Sequence, residues 1–200
     1  MSESQSDPKR RRFLVGATSA VGAMGVAGAA TPFVLSMMPS EAARAAGAPV
    51  EVDISSLEPG MMITQGWRGQ PIWVIKRTPE MMEQLTKNAA QLSDPESKDS
   101  AQPEYCKNIA RASSEHPEIL VVVGICTHLG CSPVSRSKVG NAEGMGDNWP
   151  GGFFCPCHGS RYDMSARVFK SQPAPLNMRV PPYTYLSNTR LLIGEDKKAG

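Results

Sequence analysis

The chain has 200 residues, 40 % of them hydrophobic, and a formal net charge of +2, enough for one folded domain with appendages. Lys9, Arg10, Arg11 and Arg12 against Glu3 and Asp7 account for all of that excess, so the rest of the chain is neutral. A neutral body lacks the concentrated basic face that a nucleic-acid groove needs, which excludes that class of partner.

The basic cluster opens a different feature. From Phe13 to Ser40 the chain runs 28 residues without a charge, and Glu41 is the first. That exceeds the roughly 20 apolar residues needed to cross a bilayer, although the run is rich in Gly and Ala. Pro32 lies near its far end, where it is expected to kink a helix. Positive charges before the span and none just after it predict an N-terminus on the cytoplasmic side. Arg10-Arg11-Arg12-Phe13-Leu14 fits the twin-arginine export pattern, with Arg10 and Arg11 as the pair. That route carries proteins already folded around a cofactor. Ala43-Arg44-Ala45 has the small-x-small form of a signal-peptidase site, and cleavage there would leave a soluble periplasmic protein. The uncharged run is about twice the length of an ordinary signal core of roughly 7–15 residues, so we read it as an uncleaved anchor.

"EAARAAGAP" follows as an alanine-rich linker, and from Pro49 onward the pattern turns β-rich. "VEVDISSL" alternates apolar and polar residues; "QPIWVIKR" and "EILVVVGIC" are β-branched runs of strand length. Thr78 as N-cap and Pro79 at the first helical position predict a helix over "EMMEQLTKNAAQL". The polar stretch after it makes Arg77 to Ile119 an excursion from a small antiparallel β domain. "YTYLSNTRLLIG" reads as a hairpin turning at Ser187-Asn188. The expected division is 1–12 basic N-terminus, 13–40 transmembrane anchor, 41–49 hinge or linker, and 50–200 head, with a metal-binding subdomain at about 124–176.

Five cysteines and three histidines carry the chemistry. Cys126, His128 and Cys131 sit in "CTHLGC"; Cys155, Cys157 and His158 sit in "CPCHGS". Two cysteines one residue apart cannot comfortably both ligate one tetrahedral metal. A zinc site of two Cys and two His would leave two cysteines over, and neither box has the usual C-x2-C or H-x3–5-H spacing. Two structural disulfides suit an exported domain, yet require no histidine in either box. An iron–sulfur cluster with mixed ligation uses one thiolate and one imidazole from each box. Cys106 and His116 lie in the insert, away from both boxes, and read as a buried free thiol and a surface histidine.

The paired boxes resemble those of the Rieske proteins, in particular the high-potential iron–sulfur subunit of ubiquinol–cytochrome c oxidoreductases. The likeness extends over anchor, alanine-rich linker, β head and both boxes. It implies a mostly β fold: a small antiparallel β-sandwich head with a cluster-binding subdomain, a helix-loop insert and one N-terminal transmembrane helix. It also implies one [2Fe–2S] cluster, with Cys126 and Cys155 as thiolate ligands and His128 and His158 as imidazole ligands. Cys131 and Cys157 then resemble the disulfide pair of the family, which oxygenase-type Rieske ferredoxins lack. Ser160 and Tyr162 stand where the family places hydroxyls that donate to cluster sulfurs and raise the potential. Pro173, Ala174 and Pro175 resemble the loop that covers the cluster, although Gln172 stands where a glycine is common.

What the resemblance implies functionally is a quinol–cytochrome c reductase subunit. His158 matches the residue that contacts quinol and accepts its electron and proton. An imidazole on oxidised iron gives up its far proton more readily than one on reduced iron, which couples the two transfers. The implied partners are ubiquinol, membrane lipid, a cytochrome b subunit and a c-type cytochrome, in a dimeric complex. The implied location is a bacterial inner membrane, spanned once, with the head on the periplasmic side. The competing reading is a soluble periplasmic Rieske electron-transfer subunit of the arsenite-oxidase type.

Overall fold

The computed structural model describes residues 7–196. Residues 1–6 of the basic N-terminus and 197–200 of the head therefore lie outside the described residues. Contacts divide the chain into two units, one ending at Ala45 and the other beginning at Ala46.

In the first unit, helix α1 runs Pro8–Ser36 and contains the Arg10-Arg11 pair. Asp7 caps it by accepting from Lys9 N at 2.9 Å, and Pro8 stands at a first-turn position where its missing N–H costs nothing. Pro32 lies inside the helix. The helix is long and apolar enough to cross a membrane, and none of it is buried against protein. Three of its hydroxyls bond back to the helix itself: Thr18 Oγ1 donates to Leu14 O, Thr31 Oγ1 to Ala27 O and Ser36 Oγ to Phe33 O, each at 2.7 Å. Such bonds let Ser and Thr sit in hydrocarbon without an unpaired donor. The linker is not wholly irregular, because Glu41–Ala46 forms a short helix, α2, with an Arg44–Glu41 pair one turn apart.

The second unit is β-rich and antiparallel throughout. One sheet has the order β1 (Val50–Asp53), β9 (Arg190–Ile193), β8 (Tyr183–Ser187). A second has β2 (Met62–Trp67), β3 (Gln70–Lys76), β4 (Ile119–Val123). A third has β5 (Val134–Arg136), β6 (Gly152–Phe154), β7 (Arg161–Asp163). The β8–β9 turn falls one residue later than expected: Ser187 pairs with Arg190 and an irregularity lies between Tyr185 and Ser187, so the loop is Asn188-Thr189.

The middle sheet explains why "ILVVV" is apolar at every position. Ile72, Val74, Val121 and Val123 pack with Leu191, Ile193 and Tyr183 of the first sheet. Trp73, Ile75, Leu120 and Val122 pack the other way, with Phe153, Tyr162, Cys126 and Cys155. Each face of a strand reads alternate residues, so a strand buried on both faces has no polar period. Helix α3 (Pro79–Lys87) begins at Thr78, whose Oγ1 accepts from Met81 N at 3.3 Å, and buries Met81 and Leu85 in that second core. In the third sheet Gly152 lies so close to Tyr162 that a Cβ would collide with the Tyr162 carbonyl. Only glycine permits β6 and β7 to approach this closely.

Candidate metal centre

Two loops rise from these sheets and share one backbone design. After β4, Cys126 N donates to Cys131 O at 2.8 Å and Gly130 N to Cys126 O at 3.1 Å. Between β6 and β7, Cys155 N donates to Ser160 O at 2.8 Å and Gly159 N to Cys155 O at 2.9 Å. The fifth residue of each loop takes a left-handed φ, +85° at Gly130 and +81° at Gly159, which glycine adopts without strain. Each loop thus places its first cysteine against the core and its histidine toward the tip.

Cys126 and Cys155 are free thiols, each 2 % exposed. His128 and His158 meet edge to face, with ring centroids 4.7 Å apart. His128 Nδ1 is buried without a hydrogen-bond partner among the described residues, while His158 is exposed. Cys131 and Cys157 form a disulfide joining the two loops. The Cys155 sulfur lies within 4.8 Å of both disulfide sulfurs, but those have no thiolate to offer a metal. Burial, with the neighbouring Cys126 thiol adding to it, pushes the Cys155 thiol up from its ordinary value. Metal uptake at such a pair releases protons.

The surrounding hydroxyls are aimed inward. Tyr162 is fully buried, and its OH lies 3.1 Å from Cys126 Sγ. That oxygen accepts from Thr127 N at 3.2 Å, which leaves its own proton for Cys126 Sγ or for Thr127 Oγ1, 3.3 Å away. Thr127 Oγ1 in turn donates to Leu176 O at 2.6 Å, which ties the first loop to the 173–176 segment. Ser160 is also fully buried; its Oγ accepts from Ala174 N at 3.1 Å and keeps its proton free of the described residues. Pro173 and Pro175 are exposed and Ala174 is buried. Gln172 bridges the same segment to β7, its Oε1 accepting from Arg161 N at 3.1 Å.

Comparisons with known proteins settle the family. Residues 87–183 match the Rieske [2Fe-2S] domain, and residues 1–40 match the "Ubiquitinol-cytochrome C reductase Fe-S subunit TAT signal". The chain is 55 % identical over 197 residues to the ubiquinol-cytochrome c reductase iron-sulfur subunit of Allochromatium vinosum, covering 98 % of this chain and 94 % of that one. It is 44 % identical over 192 residues to the subunit of the same name from Bradyrhizobium diazoefficiens, covering 96 % and 97 %. A chain of a hyperthermophilic respiratory complex III superposes with a TM-score of 0.46 at 26 % identity, covering 90 % of this chain and 98 % of that one. The chain belongs to the Rieske iron–sulfur subunits of ubiquinol–cytochrome c reductase.

Membership makes a [2Fe–2S] cluster the cofactor of this Rieske subunit. The residues fit it: two buried free thiols, an imidazole nitrogen buried without a partner, a Tyr162 hydroxyl 3.1 Å from Cys126 Sγ, and a buried Ser160 hydroxyl whose proton has no acceptor among the described residues. Every residue singled out in the two boxes is brought to this one place. Cys106 lies elsewhere, fully buried with its Sγ 3.6 Å from Tyr183 OH. His116 is not a free surface residue. It is partly buried and its ring lies 4.4 Å from that of Tyr185. Sequence reasoning missed Thr127, although a hydroxyl residue between two candidate ligands was a usable signal, and it noted Gln172 without foreseeing its bond to Arg161 N.

Proposed function

We propose that this Rieske subunit accepts one electron and one proton from ubiquinol at His158 and passes the electron to a c-type cytochrome. Cys126 and Cys155 would hold one iron of the cluster, and His128 and His158 the other. The observation that carries this reading is the meeting of one buried thiol and one imidazole from each of two stapled loops. When bound, the cluster supplies one-electron redox chemistry.

The chain's own groups do the rest. His158 is the exposed imidazole and offers its free ring nitrogen to a quinol hydroxyl, where it holds the released proton. Leu129, 72 % exposed beside His128, and Pro175 present an apolar rim suited to a site that excludes water. The Tyr162 hydroxyl beside Cys126 Sγ and the unclaimed Ser160 proton would donate to sulfur, which would favour the reduced state. Helix α1 anchors the chain in the bacterial inner membrane, with the basic N-terminus in the cytoplasm and the head in the periplasm. Residues 41–49 tether the head beside a cytochrome b subunit and within reach of the cytochrome, in a dimeric complex.

The test is metal and sulfide analysis of the purified complex, followed by electron paramagnetic resonance of the reduced state titrated at several pH values. Iron with acid-labile sulfide, and a potential that falls as pH rises, are the expected results. Zinc without sulfide, or a pH-independent potential, would overturn the reading.

A further inference from the structure

Below the metal-binding loops lies a cluster of buried charge that the function above does not use. Arg77, Arg111, Asp163 and Arg167 are the buried charged residues among those described, none more than 2 % exposed. Three guanidiniums face one carboxylate, so two positive charges are in excess. All converge on the turn that follows Tyr162. Arg77 Nη1 donates to Met164 O at 3.2 Å and Ser165 Oγ at 2.7 Å. Arg111 Nη1 donates to Ser165 O and Ala166 O, both at 3.2 Å. Arg167 alone pairs with Asp163, through Nε at 2.8 Å and Nη2 at 2.6 Å.

Arg77 and Arg111 thus spend their charge on carbonyls and hydroxyls, and Arg77 Nε and Arg111 Nη2 have no partner among the described residues. The nearest other carboxylates, Asp94 and Glu118, are partly exposed and therefore screened by water. Burial lowers both guanidiniums to about 10, which leaves them protonated at neutral pH. Met164 and Ala166 share one apolar core with Cys126 and Cys155, so little water intervenes between this charge and the two thiols. In such a medium a fixed charge acts at longer range than in water.

We infer that the two uncompensated buried arginine charges, Arg77 and Arg111, raise the reduction potential of the cluster by stabilising the electron it gains. The inference rests on the ligand assignment proposed above. It differs from the hydroxyl donors at Ser160 and Tyr162, because it acts through the field and not through contact.

Gln102 makes the test clean. Its Oε1 accepts from Arg111 Nε at 2.8 Å, so Gln102→Glu keeps that acceptor and adds a negative charge, at the loss of one bond from Gln102 Nε2 to Ser97 O. Arg111→Lys does the reverse, keeping the charge and losing the forked hydrogen bonds. The potential is read by electron paramagnetic resonance during redox titration of membranes holding the full-length chain in its complex. We expect Gln102→Glu to lower the reduced-to-oxidised ratio at the wild-type midpoint by about tenfold, or 59 mV for a one-electron couple. Arg111→Lys should stay close to wild type, with an unchanged resonance line shape in both. A purely structural clamp gives the opposite pattern, with Arg111→Lys shifted and Gln102→Glu silent, and that result would overturn the inference. Should Gln102→Glu assemble no cluster, Arg77→Lys against Arg77→Gln gives the same contrast. A wild-type chain without any cluster signal would instead sink the ligand assignment itself.

Discussion

Replacing Tyr162 with Phe removes one buried hydroxyl and leaves the ring in place. The ring is fully buried and Phe keeps its volume, so the packing against Trp73, Phe153 and the loop cysteines is retained. What is lost is the hydroxyl 3.1 Å from Cys126 Sγ, together with the acceptor it offers to Thr127 N at 3.2 Å. A hydrogen bond to a charged acceptor contributes roughly 1.5–3 kcal/mol, against about 1 kcal/mol for a neutral pair. Adding an electron makes the sulfur a stronger acceptor, so about 1 kcal/mol of this bond belongs to the reduced state alone. One-electron couples shift by 59 mV for each tenfold change, or about 1.4 kcal/mol, so Tyr162→Phe should lower the potential by about 40 mV. Redox titration of the cluster signal measures it. An unchanged potential in a variant with full cluster content would refute the claim that Tyr162 donates to the sulfur.

Three further outcomes are expected. The Cys131–Cys157 bridge closes a loop with a sequence separation of 26 residues. Loop-closure entropy then sets its contribution at about 3.5 kcal/mol, so the double Ser variant should unfold at a lower temperature and retain less iron. Buried Cys106 is pushed from 9.0 up to about 11, chiefly by burial. A folded pKa above the unfolded one gives stability that is complete below pH 9 and lost as pH rises toward 11. Between pH 9 and 10 wild type should therefore lose denaturant resistance faster than Cys106→Ala, by about 1 kcal/mol over that interval; parallel profiles would contradict this. Changing Arg10 and Arg11 together to Lys should leave the chain in the cytoplasmic fraction, because twin-arginine recognition depends on the pair.

Much of the fold could be read from local pattern because its strands carry local signals. β1 alternates, β3 and β4 are β-branched runs, and α3 announces itself by Thr78 and Pro79. β2, β5 and β7 were not legible. β2 reads MITQGW, with an exposed Met62 and a glycine before its buried Trp67. β5 and β7 are three residues each, too short to show a period. The buried charge was illegible for a different reason. Arg77, Arg111 and Arg167 are separated by 34 and 56 positions. Nothing local distinguishes them from the solvated arginines at 10, 44 and 190. Only the β3–α3 junction, the insert and the turn after β7, once assembled, bring Arg77 and Arg111 onto the Met164–Ala166 backbone and Arg167 onto Asp163 beside it.

The two boxes were legible as chemistry but not as geometry, and the structure supplies the reason their spacings differ. Both loops run six residues between equivalent backbone bonds, with cysteine first and left-handed glycine fifth. In the first, histidine takes the third place and the staple cysteine the sixth, just beyond the glycine. In the second, the staple cysteine takes the third place, so histidine moves to the fourth and the sixth is left to Ser160. The disulfide therefore joins unlike positions of two like turns. That offset puts a hydroxyl where the first loop has sulfur, and it leaves Ser160 free to accept from Ala174 N and hold the covering segment in place. C-x-H in one box and C-x2-H in the other are thus one turn stapled at two different points.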